Sequence, residues 1–240
     1  MIIDHTNHRV LDVLASREKA TVVQYLQEGR KSGLLAHVTE VTTDMWDAYV
    51  EATREVFGET VAIVIDRFHV MKNFQEQLTA ARREVQRALP AEEARALKGS
   101  RWLWLTNPEN LDEEELQQLM ALRTQFPPLA QLADQREALR QIFDDPTLTT
   151  PAAGRVRLAS WNASARALGL AAVNKFCDTL ERWQEKIANY FLSRASNGPT
   201  EGFNNGLRTL LHRAYGMTNF QRFRLRVLDR FGRPQPQEST

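Results

Sequence analysis

The chain has 240 residues, 42% hydrophobic and 25% charged, enough to bury one large core or a core with a substantial insertion. No stretch approaches the roughly 18 uninterrupted apolar residues of a membrane span, and MIIDHTNHRV has neither the basic nor the apolar region of a signal peptide, so a cytoplasmic protein is expected. A single cysteine, Cys177, excludes an internal disulfide and a thiolate-rich zinc site, and reads as a small buried hydrophobe; a net charge of +1 argues against a uniformly basic nucleic-acid binder.

The first 66 residues alternate strand and helix signals. Residues 1–4 and 9–14 are short apolar runs separated by DHTNH, whose Asp, Thr and Asn favour a turn, so a hairpin is expected. A helix follows over 16–29, with Ser16 as its N-cap candidate, Val22, Val23 and Leu26 as its apolar stripe and Gly29 near its end. Next come a strand around 36–42, a helix over 45–56 with Trp46, Tyr49, Val50 and Val56 on one side, and VAIVID, an apolar run that suits a buried parallel strand. This alternation predicts an α/β sheet.

After Asp66 the strand signals stop. From Phe68 to about Tyr190 the chain is rich in Ala, Leu, Glu, Gln and Arg at helical spacing, broken by Pro90, Pro108, Pro127-Pro128, Pro146 and Pro151. Such a length without a strand predicts an all-α insertion. In SNGPTEGFNNGLRTLL, Asn197-Gly198-Pro199 read as a turn and Thr200 as the cap of a helix with Glu201 in its first turn. A last amphipathic helix spans 219–231, before a Pro- and Gln-containing tail.

Charge is unevenly spread. Arg194, Arg208, Arg213, Arg222, Arg224, Arg226, Arg230 and Arg233 stand against only Glu201 and Asp229. Such a stretch can displace counterions from a polyanion, or can be an ordinary solvated helix face. Three acids stand out by position: Asp44 after a strand, Asp66 at the end of VAIVI, and Glu201 opening a helix. Carboxylates at the C-terminal ends of parallel strands face the crevice where open α/β sheets bind ligands. Oxygen-only clusters suit Mg²⁺ or Mn²⁺, and two such ions clamp the attacking and leaving oxygens of a phosphodiester displacement. The plain alternative is that each acid caps backbone N–H groups.

The segments TTDMWDAYVEA, VIDRFHVMKNF, SRWLWLTNPENL, SNGPTEGFNNGLRTLLHRAYGMTNFQRFRLRVL and PQPQEST resemble, in this order and spacing, the DDE transposases of the ISL3 family of insertion sequences. The resemblance implies a ribonuclease-H-like α/β fold with a large all-α insertion and C-terminal helices. It implies an α/β part over 1–67, the insertion over 68–192, helices completing the core over 193–231 and a tail over 232–240. It also implies metal-dependent DNA cleavage and strand transfer with two Mg²⁺ (or Mn²⁺) ions, on double-stranded element ends and target, by a protein that pairs with itself or with a full-length transposase. Asp44 in TTDMW matches the second acid of the triad and Glu201 in NGPTEGFNN the third, both as metal ligands.

The departure is at the front. In this family the first catalytic Asp lies on the opening strand, and MIIDHTNHRVLDVL resembles the second strand and the hairpin after it. The resemblance therefore places that Asp upstream of Met1, with Asp4 near a strand end as the alternative first acid; the zinc-binding and helix-turn-helix regions of such enzymes are also absent. A core without its first strand should leave unpaired backbone groups or rearrange, and two ligands of three should hydrolyse very weakly.

Asp66 and His69 in DRFH, with Asn204 and Asn205 one turn beyond Glu201, are supporting candidates that orient a carboxylate or contact phosphate; capping and solvation are the alternative. Lys72, Arg208, Arg213, Arg222, Arg224 and Arg226 are candidate DNA contacts. Trp102, Trp104 and Trp161 lie in the helical block, where most indoles are core, although an indole can also stack on an extruded base. Two functions follow: a transposase catalytic core, inactive without its first Asp, or a non-catalytic DNA-binding or transposition-inhibiting fragment.

Overall fold

A computed structural model describes residues 1–195, 198–213 and 219–233, apart from the side chains of Pro199, Glu201 and Arg213. The expected hairpin forms from β1 (Ile2–Asp4) and β2 (Arg9–Asp12), paired antiparallel with Ile3 opposite Val10 and Asp4 opposite Arg9. Ile2 pairs with Asp12, so Leu11 is the extra residue of a bulge. Asp4 holds the turn: its two oxygens accept from the Asn7 backbone N–H at 3.1 Å, the Asn7 amide at 2.7 Å and Arg9 Nε at 3.1 Å.

Burial alone would raise the Asp4 carboxyl, but the Asn7 and Arg9 bonds outweigh it and hold the group below its ordinary value. A depressed folded-state pKa contributes stability that is complete above the unfolded value, about 3.9, and is lost as pH falls through the folded one. Asp4→Asn should therefore shrink the drop in Tm between about pH 6 and about pH 3. An undiminished drop would show that the turn carboxylate contributes nothing to acid sensitivity.

Helix α1 (Lys19–Lys31) starts later than the Ser16 cap implied. Glu18 is the N-cap residue, while Ser16 Oγ accepts the Glu18 N–H at 3.1 Å and closes the approach turn instead. Its Val22 and Leu26 are buried against Ala52, Val56 and Phe57 of α2 (Asp47–Phe57). Trp46 is not on the apolar stripe of α2. It is the residue before the helix, exposed, with the Arg17 guanidinium 5.0 Å from its ring centroid. Strand β3 (Glu40–Thr43) pairs with β4 (Ala62–Ile65), where Ile63, Val64 and Ile65 are wholly buried. The α/β alternation is present, but as two separate two-stranded sheets, since each strand is three or four residues long and has one hydrogen-bonded neighbour.

Among the described residues the rest is helical: α3 (Arg67–Ala88), α4 (Ala91–Ala96), α5 (Arg101–Leu105), α6 (Glu113–Gln125), α7 (Pro127–Asp144), α8 (Pro151–Arg166), α9 (Ala171–Ala188), α10 (Tyr190–Ser193), α11 (Gly198–Arg213) and α12 (Phe220–Phe231). Gly198 already belongs to α11, so Thr200 and Glu201 lie inside its first turn; Asn197, which opens the expected Asn197-Gly198-Pro199 turn, lies outside the described residues. Asn219 caps α12, accepting the Arg222 N–H at 3.0 Å.

The chain divides into two compact units, Met1–Ile63 with Ala195–Thr240, and Val64–Arg194. In the first, α11 and α12 pack on the hairpin through Val10, Val13 and Val227. Gly206 is required there: a Cβ on it would sit 2.6 Å from the Phe231 ring, which meets Phe203 edge-on at 5.6 Å. In the second, α3, α7, α8 and α9 pack together around Phe74, Trp161 and Phe176, with centroids 4.8–5.6 Å apart. Cys177 is wholly buried there, its thiol pushed up to about 11 by burial. No described helix is long and apolar enough to cross a membrane.

Candidate functional site

Asp44 leaves the end of β3 half-buried, where its backbone carbonyl accepts the Trp46 N–H at 2.8 Å and so turns the chain into α2. Thr43, itself buried, donates its hydroxyl to Asp44 Oδ1 at 3.4 Å, a long bond that leaves the carboxylate most of its acceptor capacity. The Tyr49 phenol is raised by burial first and by the Asp44 charge second, with Arg17 acting in the opposite direction. Asp44 thus has Thr43 and Tyr49 for neighbours. The sequence reading missed Tyr49 as a neighbour of this acid, because Tyr49 fitted an apolar stripe.

In the same unit, Glu201 lies in the first turn of α11, and its side chain is outside the described set, as is that of Arg213. Asn204, Asn205 and Arg208 are exposed further along α11, and Arg208 donates to Asn205 Oδ1 at 3.0 Å. On α12, Arg222 and Arg226 lie four residues apart on one exposed face. Neither has a carboxylate partner among the described residues.

Arg224 departs from the expectation. It lies on the face of Val227, and its guanidinium forks onto Asp12 of β2, Nε to Oδ1 at 2.5 Å and an NH2 to Oδ2 at 2.8 Å. Asp12 is 7% exposed and also accepts the Val13 N–H at 2.7 Å. Arg224 is a brace between the last helix and the hairpin, unavailable for phosphate. Arg194, counted in the basic stretch, is likewise consumed: it donates to the carbonyls of Phe143, Asp145 and Leu148 at 2.5–2.7 Å.

In the helical unit, Asp66 is 1% exposed and N-caps α3, its Oδ1 accepting the Phe68 N–H at 3.2 Å while its Oδ2 is buried without a partner. The capping alternative therefore accounts for one of its oxygens. His69 is half-buried with its ring edge-on to Phe68 at 5.9 Å, and Lys72 is exposed on the same helix.

Among the described residues, which leave out the Glu201 side chain, no three His, Cys, Asp or Glu side chains converge; Mg²⁺ is held through one or two carboxylates with waters and substrate phosphates, a role open to Asp44.

The sequence matches the ISL3-type DDE family described as "Transposase" over residues 1–227. It is 26% identical over 232 residues to the transposase for insertion sequence element IS1001 of Bordetella parapertussis, covering 95% of this chain and 55% of that protein. It is 23% identical over 244 residues to the transposase for insertion sequence element IS1557 of Mycobacterium tuberculosis, covering 92% and 54%. The chain spans about half the length of these relatives. No solved structure matches it significantly.

Proposed function

The chain belongs to the ISL3 family of DDE transposases, and we propose that it is catalytic-core material of such an enzyme, acting on double-stranded DNA. In this reading residues 1–67 and 193–231 form the ribonuclease-H-like part, 68–192 are its helical insertion, and 232–240 are a tail. Asp44 and Glu201 are the second and third acids. The observation that carries the reading is Asp44 itself: a half-buried carboxylate at the end of a strand, with one weak hydroxyl donor and free lone pairs, inside the family match.

The class uses divalent metal ions, which would supply activation of the attacking oxygen. Asp44 and Glu201 would hold such ions; with the third acid of the triad unassigned, no cleavage step is given to these 240 residues acting by themselves. Their own chemistry is binding: Arg222 and Arg226, without a carboxylate partner among the described residues, offer charge to phosphates, and Arg208, held toward Asn205, adds a third contact.

The test is a Mg²⁺ or Mn²⁺ titration of the purified chain with labelled duplex, alongside Asp44→Ala and Glu201→Ala. Binding without nicking is expected. Arg222→Ala with Arg226→Ala should flatten the log–log salt dependence by about 0.9 per lost phosphate contact. Nicking that both acid substitutions abolish would overturn the two-acid reading, and an unchanged slope would remove α12 from the DNA interface.

A further inference from the structure

We propose that the helical unit carries a binding site for a free tetrahedral oxyanion of the phosphate class, at the corner where α4 and α5 meet α3, with the guanidiniums of Arg82, Arg83 and Arg101 as its donors. Neither DNA nor a metal ion enters as a premise, and none of the residues assigned above takes part.

The observation is a buried charge with nothing to balance it. Arg82 on α3 is 8% exposed. One of its amino nitrogens donates to the Leu97 carbonyl at 2.8 Å and to the Gln86 side-chain oxygen at 3.1 Å, both neutral acceptors, while its Nε is buried without a partner. Its other amino nitrogen donates to nothing among the described residues. Burial first, and then the charges of Arg83 and Arg101, disfavour the protonated form, and no carboxylate offsets them. A buried cation is costly unless it is paired, and a guanidinium cannot escape that cost by giving up its proton. What remains is an anion from outside the chain.

Two further guanidiniums converge on the same stretch of α3. Arg82 and Arg83 stand three and four residues beyond Thr79 and share its face. Arg101 reaches that face from α5, with Nε 3.4 Å from Thr79 Oγ1 and its guanidinium steadied over the Trp102 ring, 4.7 Å from the centroid. Arg83 is exposed and, like Arg101, has no carboxylate partner among the described residues. Three planar forks arriving from two helices suit an acceptor with tetrahedral oxygens and two charges better than a flat carboxylate with one. Depth selects a free ion. A small oxyanion can follow Arg82 below the surface, whereas a phosphodiester with a sugar on either side is stopped at Arg83 and Arg101. Arg82 and Gln86 also tie α3 to the end of α4, through the Leu97 carbonyl at 2.8 Å and the Ala94 carbonyl at 3.0 Å, so an anion that neutralises Arg82 stabilises this corner.

The experiment titrates the whole chain, without DNA or divalent metal, with sodium phosphate in place of chloride at constant ionic strength, and reads thermal unfolding and calorimetric binding. Tm should climb and level off, with a rise of about 3–6 °C once phosphate is about ten times its dissociation constant. Sulfate should reproduce the saturating rise and acetate should not. Arg101→Ala should weaken phosphate binding by about 10- to 100-fold, and Arg82→Met, which keeps the length and removes the charge, should abolish it. Arg83→Ala and Arg101→Ala keep the test open where Arg82→Met does not fold. A rise that stays linear in phosphate and is equal in the unsubstituted chain and Arg101→Ala is general exclusion of the salt from the protein surface, and it overturns the site. A saturating rise that acetate matches overturns the oxyanion class. Phosphate binding that disappears once duplex DNA saturates the chain would reassign the three guanidiniums to the DNA backbone and overturn the free ligand. The duplex-nicking result leaves all of these outcomes untouched.

Discussion

Arg224→Ala is expected to destabilise the first unit by about 2–4 kcal/mol, a larger loss than any other surface arginine on α12 should produce. The guanidinium is 35% exposed at its side chain and so contributes less than a fully buried ion would; the carboxylate it serves is 10% exposed and cannot turn to water. Removing the arginine strands Asp12 with one remaining donor, the Val13 N–H. Asp12→Ala should cost less, because Arg224 can swing outward. The double substitution should cost less than the two singles together, giving a coupling of about 1–3 kcal/mol in urea unfolding. Strict additivity would mean that the fork does not hold α12 to β2. Close by, the Tyr25 phenol is buried without a hydrogen-bond partner and pushed up to about 12, by burial first and then by the Asp12 charge.

That brace also shows where the sequence stopped being informative. Periodicity located α1, α2, α12 and the hairpin to within a few residues, because each has a buried stripe whose repeat is written in the chain: Val22 with Leu26, Val10 between half-buried neighbours, Val227 on α12. The position of Asp44 at a strand end was legible because its signal is local, an acid directly after a β-rich run. Whether an arginine faces phosphate or protein is not local. Arg222, Arg224 and Arg226 alternate identically in sequence, and only the hairpin 212 residues away decides that the middle one turns inward. Arg194 is the same case, since its three carbonyl acceptors lie 46–51 residues upstream. The sheet was half legible: three strands are where the apolar runs put them and β3 starts four residues later than expected, but their division into two pairs depends on partners along each edge, which no single run encodes.

In the helical unit, Phe74→Ala should cost about 3–5 kcal/mol, the usual range for emptying a buried aromatic site. Phe74 is wholly buried on α3 and is the ring shared by two neighbours, Trp161 on α8 at 5.5 Å and Phe176 on α9 at 4.8 Å, both edge-on. Its removal therefore takes away the transfer energy of one ring, two aromatic pairs, and the packing that sets α3 against α8 and α9. Those neighbours cannot collapse freely into the space, because Trp161 is tethered through its indole N–H to the Gln135 carbonyl at 2.9 Å and Phe176 is fixed on a helix whose Val173, Leu180 and Ile187 are also buried. Phe74→Leu, which keeps most of the volume and none of the edge-to-face geometry, should cost roughly half as much. Chemical denaturation of the two variants reads the difference directly. If Phe74→Ala loses less than about 1 kcal/mol, the aromatic cluster is not the keystone of this unit and the burial of Leu78, Leu132 and Leu139 beside it carries the stability instead.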